Sequence, residues 1–257
     1  MTTWFFSRGV PSNYDRWVKD YGVNGWSYSQ LLPFFKKTES FGGKEISCTQ
    51  RGTSGEMKVE SAMQSVVGLK FLGAAAEIGL PQQNLYDYNL PSCHGSCIAQ
   101  NTTENGLRCD AARAFLYPIF KKRNNLTIQT GTFVTKVTIE DKIAKGVQFE
   151  GLEESGSVSA RKEVIICGGP INSPTLLMLS GIGPKDHLEE KEIECIADLP
   201  VGENFQDQLV VPLAFKTSNS DCNMDSNLFK LQKFIRGLFH YYCYSSGFLY
   251  HPFIEAI

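Results

Sequence analysis

The pattern of apolar and small residues is most informative over residues 162–183. A run of β-branched residues, Val164–Ile166, is typical of a strand buried in a parallel sheet, and a glycine pair follows it. Ser173 before Pro174 is typical of a helix start, and leucines then follow at helical spacing. Because two further glycines end this apolar pattern, the stretch predicts a strand, a glycine turn and a helix.

Periodic segments elsewhere predict the remaining elements. Apolar residues at helical spacing predict helices over Ser27–Lys37, Ser65–Ile78, Ala111–Lys122 (to a break near Pro118), Asp186–Glu190 and Ser226–Tyr242. Alternating or clustered β-formers predict strands over Leu126–Gln129, Phe133–Ile139, Ala144–Phe149 and Ile193–Ile196. The first three of these strands are expected to form a meander. Irregular composition predicts loops over Arg8–Trp17, Phe41–Glu56 and Pro81–Gly106.

The composition restricts the class of protein. The chain has 257 residues and 42% hydrophobic content, which is enough for one large domain or two modest ones. Its 25 basic and 27 acidic residues are mixed along the chain, so nothing indicates binding to nucleic acid or to an anionic membrane. No apolar run approaches the length of a transmembrane helix. Small-molecule chemistry is the better interpretation.

The cysteines give only a weak indication of metal binding. Cys93, His94 and Cys97 form a candidate cluster, but no second ligand pair at zinc-type spacing accompanies them. We therefore expect no metal site, and interpret these cysteines as a loop disulfide or free thiols. Cys167 follows the predicted strand, where a small buried hydrophobe is expected.

The strand, glycine turn and helix start also suggest a ligand. A helix N-terminus reached through glycines can hold the phosphates or ribose of a dinucleotide, because backbone N–H groups point outward there. The alternative is a plain strand-to-helix connection, and the local pattern leaves both interpretations open.

Comparison of longer stretches of the sequence favours a nucleotide site over a plain strand-to-helix connection. The run Gly169–Gly183 resembles the second signature of the glucose-methanol-choline (GMC) flavoprotein oxidoreductases, and the arthropod glucose-dehydrogenase-like branch looks nearest. Three further stretches resemble the same family in the same order: Arg8-Gly9 with Asn13–Trp17, Gly106–Arg108 with Ala114–Pro118, and Asp198–Asp207.

This resemblance implies FAD as the cofactor and names the residues that would contact it. Val134 matches a valine whose backbone meets the adenine, although a β-branched residue in a strand could also simply belong to the core. Gly168, Gly169 and Pro170 would lie toward the nucleotide cleft, unless the glycines only let strand and helix pack together. Trp17 and Trp26 are expected to pack rather than to contact the cofactor.

The resemblance also implies the fold. We expect an α/β architecture in which an incomplete FAD-binding domain, of the two-dinucleotide-binding Rossmann-like type, is interleaved with part of an α+β substrate-binding domain. The expected segments are a cofactor-covering lid at 1–60, a substrate-domain segment at 61–125, an FAD-domain segment at 126–206 and the start of the substrate-binding domain at 207–257. The family usually has a glycine between the residues matching Pro200 and Val201 and a histidine at Gln208, so this copy is expected to be atypical.

The chemistry of the family is only partly represented. No G-x-G-x-x-G follows a predicted strand, and none of the four histidines lies in a stretch resembling the family's catalytic segment. We therefore expect an internal fragment and predict no catalytic residue in this chain. The parent would oxidise a CH–OH group of an alcohol or sugar, with a quinone, a dye or oxygen as electron acceptor. The alternative is a non-catalytic remnant or binding module with the same partial fold.

The sequence does not establish where the protein resides. Asn101 and Asn125 begin glycosylation sequons, which would matter if the parent is secreted. This chain shows no signal peptide of its own.

Overall fold

The computed structural model describes residues 4–43, 49–62, 65–80, 87–91, 94–152, 154–213, 215, 232 and 235–239. The chain divides into two compact units. Unit 1 contains residues 1–126 and 215–257, and unit 2 contains residues 127–214. The nucleotide-binding segment expected at 126–206 thus falls in unit 2 apart from its first residue.

Unit 1 begins with a helical hairpin. Helix α1 (Pro11–Tyr21) has its proline in the first turn and ends at Gly22, which is left-handed with φ +67°. The expectation of a loop at Arg8–Trp17 is therefore wrong from Pro11 onward, because a proline at a helix start favours the helix instead of breaking it. Helix α2 (Tyr28–Thr38) confirms the prediction from Ser27, whose N–H donates to Gln30 Oε1 at 3.2 Å.

Aromatic side chains hold this hairpin together. The Tyr14 and Trp17 rings meet edge to face with centroids 5.1 Å apart, and the Trp17 and Trp26 centroids are 6.2 Å apart. Tyr14 also lies 5.6 Å from Phe35 of α2, between ring centroids. The two tryptophans pack within unit 1, as expected, while keeping 41% and 53% of their surface exposed.

Short strands form the rest of unit 1. Strand β1 (Glu39–Phe41) pairs parallel with β2 (Met57–Ser61), which pairs antiparallel with β3 (Gln100–Asn101). Helix α3 (Val66–Glu77) begins at Ser65, whose hydroxyl accepts from Gly68 N–H at 3.0 Å, as predicted. Strands β4 (Thr103–Glu104) and β5 (Leu107–Arg108) pair with each other, and a π-helix (Ala112–Leu116) ends just before Pro118.

A buried charge cluster organises the core of unit 1. The Arg51 Nε lies 2.9 Å from Glu39 Oε1, and both side chains are almost fully buried. Arg8 pairs with the same carboxylate, and Asp87 pairs with Arg51. Two positive and two negative groups therefore balance, and the Gln100 Oε1 accepts from Arg51 Nη1 at 2.9 Å. Buried charges of this kind are tolerated only when they are paired and hydrogen-bonded.

Unit 2 contains the predicted meander with a different set of strands. Strands β6 (Thr132–Glu140), β7 (Ile143–Gly151) and β8 (Ser155–Ser159) form one antiparallel sheet in that order. The strands predicted at Phe133–Ile139 and Ala144–Phe149 are confirmed as β6 and β7. The strand predicted at Leu126–Gln129 is wrong, since those residues join no strand. The third strand is instead β8. Its serine and glycine residues are not typical strand formers, so the sequence pattern does not predict it.

The segment after the meander differs most from expectation. Val164–Ile166 belongs to no strand, because within the described residues no strand pairs with it. Helix α4 (Gly169–Leu179) begins four residues before the predicted cap, so Ser173 and Pro174 lie inside the helix. Cys167 is exposed and not buried, since no strand of the described residues pairs with the segment that carries it.

The remainder of unit 2 is a compact turn-rich segment. Strand β9 (Ile182–Gly183) pairs parallel with β10 (Ala197–Asp198), and helix α5 (Lys185–Glu190) connects them. The helix predicted at Asp186–Glu190 is confirmed, whereas the strand predicted at Ile193–Ile196 begins at Ala197. The helix predicted at Ser226–Tyr242 lies mostly outside the described residues. No helix in the described part of the chain is long and apolar enough to cross a membrane.

Candidate nucleotide site

The N-terminus of α4 is open to solvent. Gly168 is the N-cap residue, no side chain of the described residues makes a capping hydrogen bond, and residues 168–170 are exposed. The first N–H groups of a helix have no partner within the helix and carry partial positive charge. Because Pro170 has no N–H and occupies the first turn, the outward donors available here are those of neighbouring residues.

The two glycines at this end have different physical roles. A Cβ on Gly168 would lie 3.1 Å from Asn172 Cβ, so a larger residue there requires Asn172 to move by a few tenths of an ångström. Gly169 has φ +84°, and a Cβ built on it meets no atom within 4 Å. Glycine at 169 is therefore required by its conformation, while the space beside it is open.

A cavity of about 570 Å³ lies beside this helix end. Side chains from the first two turns of α4 form one wall, and the turn at 200–206 forms the other. The described residues that line it are Pro170, Ser173, Pro174, Leu177, Pro200, Gly202, Asn204, Phe205 and Gln206. The amides of Asn204 and Gln206 are exposed, with Gln206 Nε2 donating to Asn204 Oδ1 at 2.9 Å. The walls thus combine apolar surface with hydrogen-bonding groups, as ligand sites do.

Val134 lies on the outer strand of the meander. It is 37% exposed and pairs with Phe149 of β7. The pairing register shifts between Val134 and Lys136, so Thr135 is an extra residue in β6. Such a bulge bends the strand and changes the direction of neighbouring backbone groups. Val134 is therefore accessible beside a local distortion, although it does not line the 570 Å³ cavity.

A second cavity, of about 270 Å³, lies between β6 and the segment that precedes α4. Val164 and Ile166 line it together with Val137 and Ile139, while Ile165 between them is 74% exposed. This alternation is typical of an extended backbone, even though no ladder forms. The described lining is apolar apart from Lys142, so this cavity offers a nucleotide few polar partners.

The groups with shifted pKa lie in unit 1, outside this site. Burial raises the pKa of the Cys97 thiol to about 11, and burial also raises the pKa of Tyr88. Tyr88 stacks on Phe5 with ring centroids 5.4 Å apart and donates to the Phe6 carbonyl at 2.6 Å. These groups are held in their neutral forms by the core of unit 1.

The described residues offer neither a metal centre nor a catalytic base at the helix end. No group of three or more metal-ligating side chains occurs among them, and Cys93 lies outside the described part. His187 is exposed on α5, and His94 is exposed in a loop of unit 1. The site can therefore hold a ligand through backbone donors, amides and apolar contacts.

The fold is a mixed α/β architecture with an open helix end beside a cavity, and sequence comparison identifies the family. The profile of the GMC oxidoreductase family matches residues 2–210. The chain belongs to the GMC oxidoreductase family.

Individual relatives agree with this assignment. An oxygen-dependent choline dehydrogenase from Brucella ovis is 40% identical over 209 residues, which are 80% of this chain and 37% of that protein. An FAD-dependent oxidoreductase from Chaetomium thermophilum is 27% identical and superposes with a TM-score of 0.84 over 98% of this chain and 46% of its own. Pyridoxine 4-oxidase from Mesorbium loti is 30% identical, with a TM-score of 0.70 over 77% of this chain and 38% of its own. The chain spans well under half the length of the curated relatives it matches.

These findings confirm two predictions. The mixed α/β fold is that of the FAD-binding N-terminal domain of GMC oxidoreductases, and the family together with the FAD-dependent neighbour points to FAD as the cofactor. The described residues are compatible with part of such a group, because the helix end at Gly169 is open, has no side-chain cap and lies beside a cavity of about 570 Å³.

The structure also adds residues that the sequence interpretation left out of the site. Asn204, Phe205 and Gln206 reach the same cavity as Pro170. The signal that could have found them is their position in Asp198–Asp207, one of the four stretches that resemble the family. Gly202 has φ +86°, so this shortened turn still closes through a left-handed glycine.

Proposed function

We propose that this chain supplies the cofactor-holding part of an FAD-dependent oxidoreductase that acts on the CH–OH group of an alcohol or sugar. Membership of the GMC family supports the flavoprotein class. The alternative of a non-catalytic binding module has no observation in its favour. The chain spans only part of the length of its relatives, so we propose this activity for a longer protein and not for these residues alone.

The observation that carries this proposal is the conformation of Gly169. This residue is left-handed, opens the uncapped helix α4 and faces empty space. An anionic group placed there would meet unpaired N–H donors and the positive end of the helix dipole. The adjoining cavity, with the amides of Asn204 and Gln206, could accept the ribose or phosphates that continue from that group.

Val134 would complete the nucleotide half of the site. The family resemblance assigns its backbone to the adenine, and the residue lies on the outer strand β6 with more than a third of its surface exposed. An outer strand has backbone groups directed away from its neighbour, and these can bind an adenine edge. The side chain at this position would then matter less than the course of the strand.

FAD, when bound, supplies the acceptor for the hydride that leaves the alcohol carbon. The hydroxyl proton must pass to a base, and we assign that base to no residue of this chain. The role of these residues is to bind and orient the nucleotide. The electron acceptor that reoxidises the cofactor would be a quinone, a dye or oxygen, and we assign its selection to no residue of this chain.

Two substrates are the first to test. The curated relatives are choline dehydrogenases, and the signature stretches resemble the glucose-dehydrogenase-like branch. The full-length protein should be assayed with choline and with glucose, using either oxygen or a dye as acceptor. Turnover with either substrate supports the proposal. Flavin-loaded protein that oxidises no alcohol or sugar would contradict it.

The cofactor site is tested by a pair of glycine substitutions in the full-length protein. Gly169→Val places a side chain where we expect the nucleotide. Gly79→Val is the matched control, because Gly79 has φ +86° and also meets no atom within 4 Å, but lies in unit 1. Both variants carry similar backbone strain, and only Gly169→Val should weaken FAD binding. Equal FAD affinity in the two variants would exclude the site at Gly169.

A further inference from the structure

Ser180 links helix α4 to strand β6, the two elements that carry the proposed nucleotide site. This residue follows the last turn of α4 and is 1% exposed. Its hydroxyl donates to the Leu176 carbonyl at 2.6 Å and accepts from the Val137 backbone N–H at 2.8 Å. Val137 belongs to β6 and is also buried, so this hydrogen bond lies in the interior of unit 2.

The hydrogen bond between Val137 and Ser180 fixes the direction of strand β6. Strand β6 is at the edge of its sheet, and the Val137 N–H points to an oxygen outside the sheet ladder. The extra residue Thr135 lies between Val137 and Val134. A bulged edge strand has a weakly specified direction unless something anchors it. Ser180 is such an anchor, on the side of β6 opposite to β7.

The same residue also sets the position of the helix. Helix α4 has 11 residues, so its N-terminus lies about 16 Å from Ser180 along the axis. Pro174 lies inside α4 and removes one hydrogen bond, but the helix is continuous from Gly169 to Leu179, so a shift at its last turn also moves Gly169. Ser180 therefore fixes the strand that carries Val134 relative to the helix that begins at Gly169.

We propose that Ser180 is a positioning residue for the adenine nucleotide part of the cofactor. It sets the spacing between the Val134 backbone and the open end of α4 through its hydrogen bond to Val137. This inference rests on the proposed function, since it concerns the same nucleotide. Ser180 itself contacts neither cavity.

The test uses ADP as a probe for that half of FAD, titrated into the full-length protein labelled with ¹⁵N at valine and glycine. Ser180→Ala should weaken ADP binding by about tenfold, because it leaves the buried Val137 N–H without an acceptor and releases the strand. Thr175→Val is the matched control, since the Thr175 hydroxyl donates to the Ile171 carbonyl at 2.8 Å within the same helix and reaches no strand. Val147→Ala, on the strand paired with Val137, controls for loss of stability.

The outcomes separate the two proposals. Wild-type affinity in Ser180→Ala, or an equal loss in Val147→Ala at the same melting temperature, overturns the role of Ser180 and leaves the nucleotide site intact. Absence of ADP binding to the wild-type full-length protein contradicts the nucleotide site instead. The ligand-free spectra then decide the role of Ser180, because Ser180→Ala should shift the amide resonances of both Val134 and Gly169. A change confined to Val137 would overturn it.

Discussion

The guanidinium carbon of Arg51 lies 4.0 Å from the centre of the Phe41 ring. The same group is paired with Glu39 and Asp87, so Arg51 combines a cation–π contact with two buried ion pairs. Residues from α2 to β3 converge on this one side chain. Unit 1 is therefore organised around a buried cation as well as an apolar core.

Loss of this cation should be strongly destabilising. Arg51→Met leaves two carboxylates short of a partner, and breaking a buried pair costs about 3–5 kcal/mol of the free energy of unfolding. Arg16→Gln is the control, because the Arg16–Asp20 pair is exposed and worth under about 0.5 kcal/mol. Urea denaturation of the chain measures the free energy of unfolding of both variants. Similar midpoints for the two variants would show that the cluster contributes no net stability.

Val134 should tolerate a smaller side chain. If the backbone makes the adenine contact, Val134→Ala in the full-length protein leaves FAD affinity within about twofold of wild type. Phe149→Ala is the contrasting variant, because Phe149 is buried opposite Val134 and its loss disturbs the strand pair. FAD affinity from flavin fluorescence distinguishes them. A large loss in Val134→Ala would mean that the side chain itself forms the site.

The 257-residue chain alone should retain little FAD. It contains no G-x-G-x-x-G, the motif that holds the pyrophosphate in dinucleotide-binding folds. Leu209, Val210 and Val211 are also 79–101% exposed, which predicts low solubility. Absorbance after gel filtration measures the flavin that is retained. One FAD per chain would contradict this prediction.

The cysteines should react in an order set by burial. Cys167 is exposed and Cys97 is buried, so iodoacetamide at pH 8 should modify Cys97 more than about tenfold more slowly. The folded state also binds the Cys97 proton more tightly than the unfolded chain. That contribution to stability is complete below pH 9.0 and is lost as pH rises toward about 11. Cys97→Ala should remove this part of the alkaline loss of stability, as measured by chemical denaturation. An unchanged alkaline loss of stability in Cys97→Ala would argue against it.

The two glycosylation sequons should behave differently. Asn101 lies in β3 with 2% of its surface exposed, whereas Asn125 lies in an exposed turn. A glycan on Asn101 cannot be accommodated in the folded strand, so secreted folded protein should carry its glycan at Asn125 only. Mass spectrometry of Asn125→Gln expressed with a secretory leader checks this. Folded protein glycosylated at Asn101 would contradict it.

Local signals in the sequence predicted local structure well. The Ser65 cap, the helix after Ser27 and the alternation in β6 each depend on residues that are near one another in the chain. Pro11 lies in the stretch predicted as a loop, although it occupies the first turn of a helix. Proline and glycine mark helix starts as well as loops, and the pattern alone does not separate these uses.

Non-local relationships could not be predicted from the same signals. Val164–Ile166 has the composition of a strand, but a strand also needs a partner, and composition does not supply one. The approach of Asn204 to Pro170 depends on how the chain returns after β10. Nothing in the sequence pattern indicated the pairing of Arg51 with Asp87, because the two residues are far apart in the chain.

The Ser180 hydroxyl has one consequence for self-association. By binding the Val137 N–H, it removes a donor that another chain would need in order to add a strand beside β6. The bulge at Thr135 further disrupts that edge as a template. The opposite edge, β8, is exposed along all five residues and carries neither charge nor proline. Intermolecular growth of this sheet, and the aggregation that follows from it, is therefore directed to the β8 side.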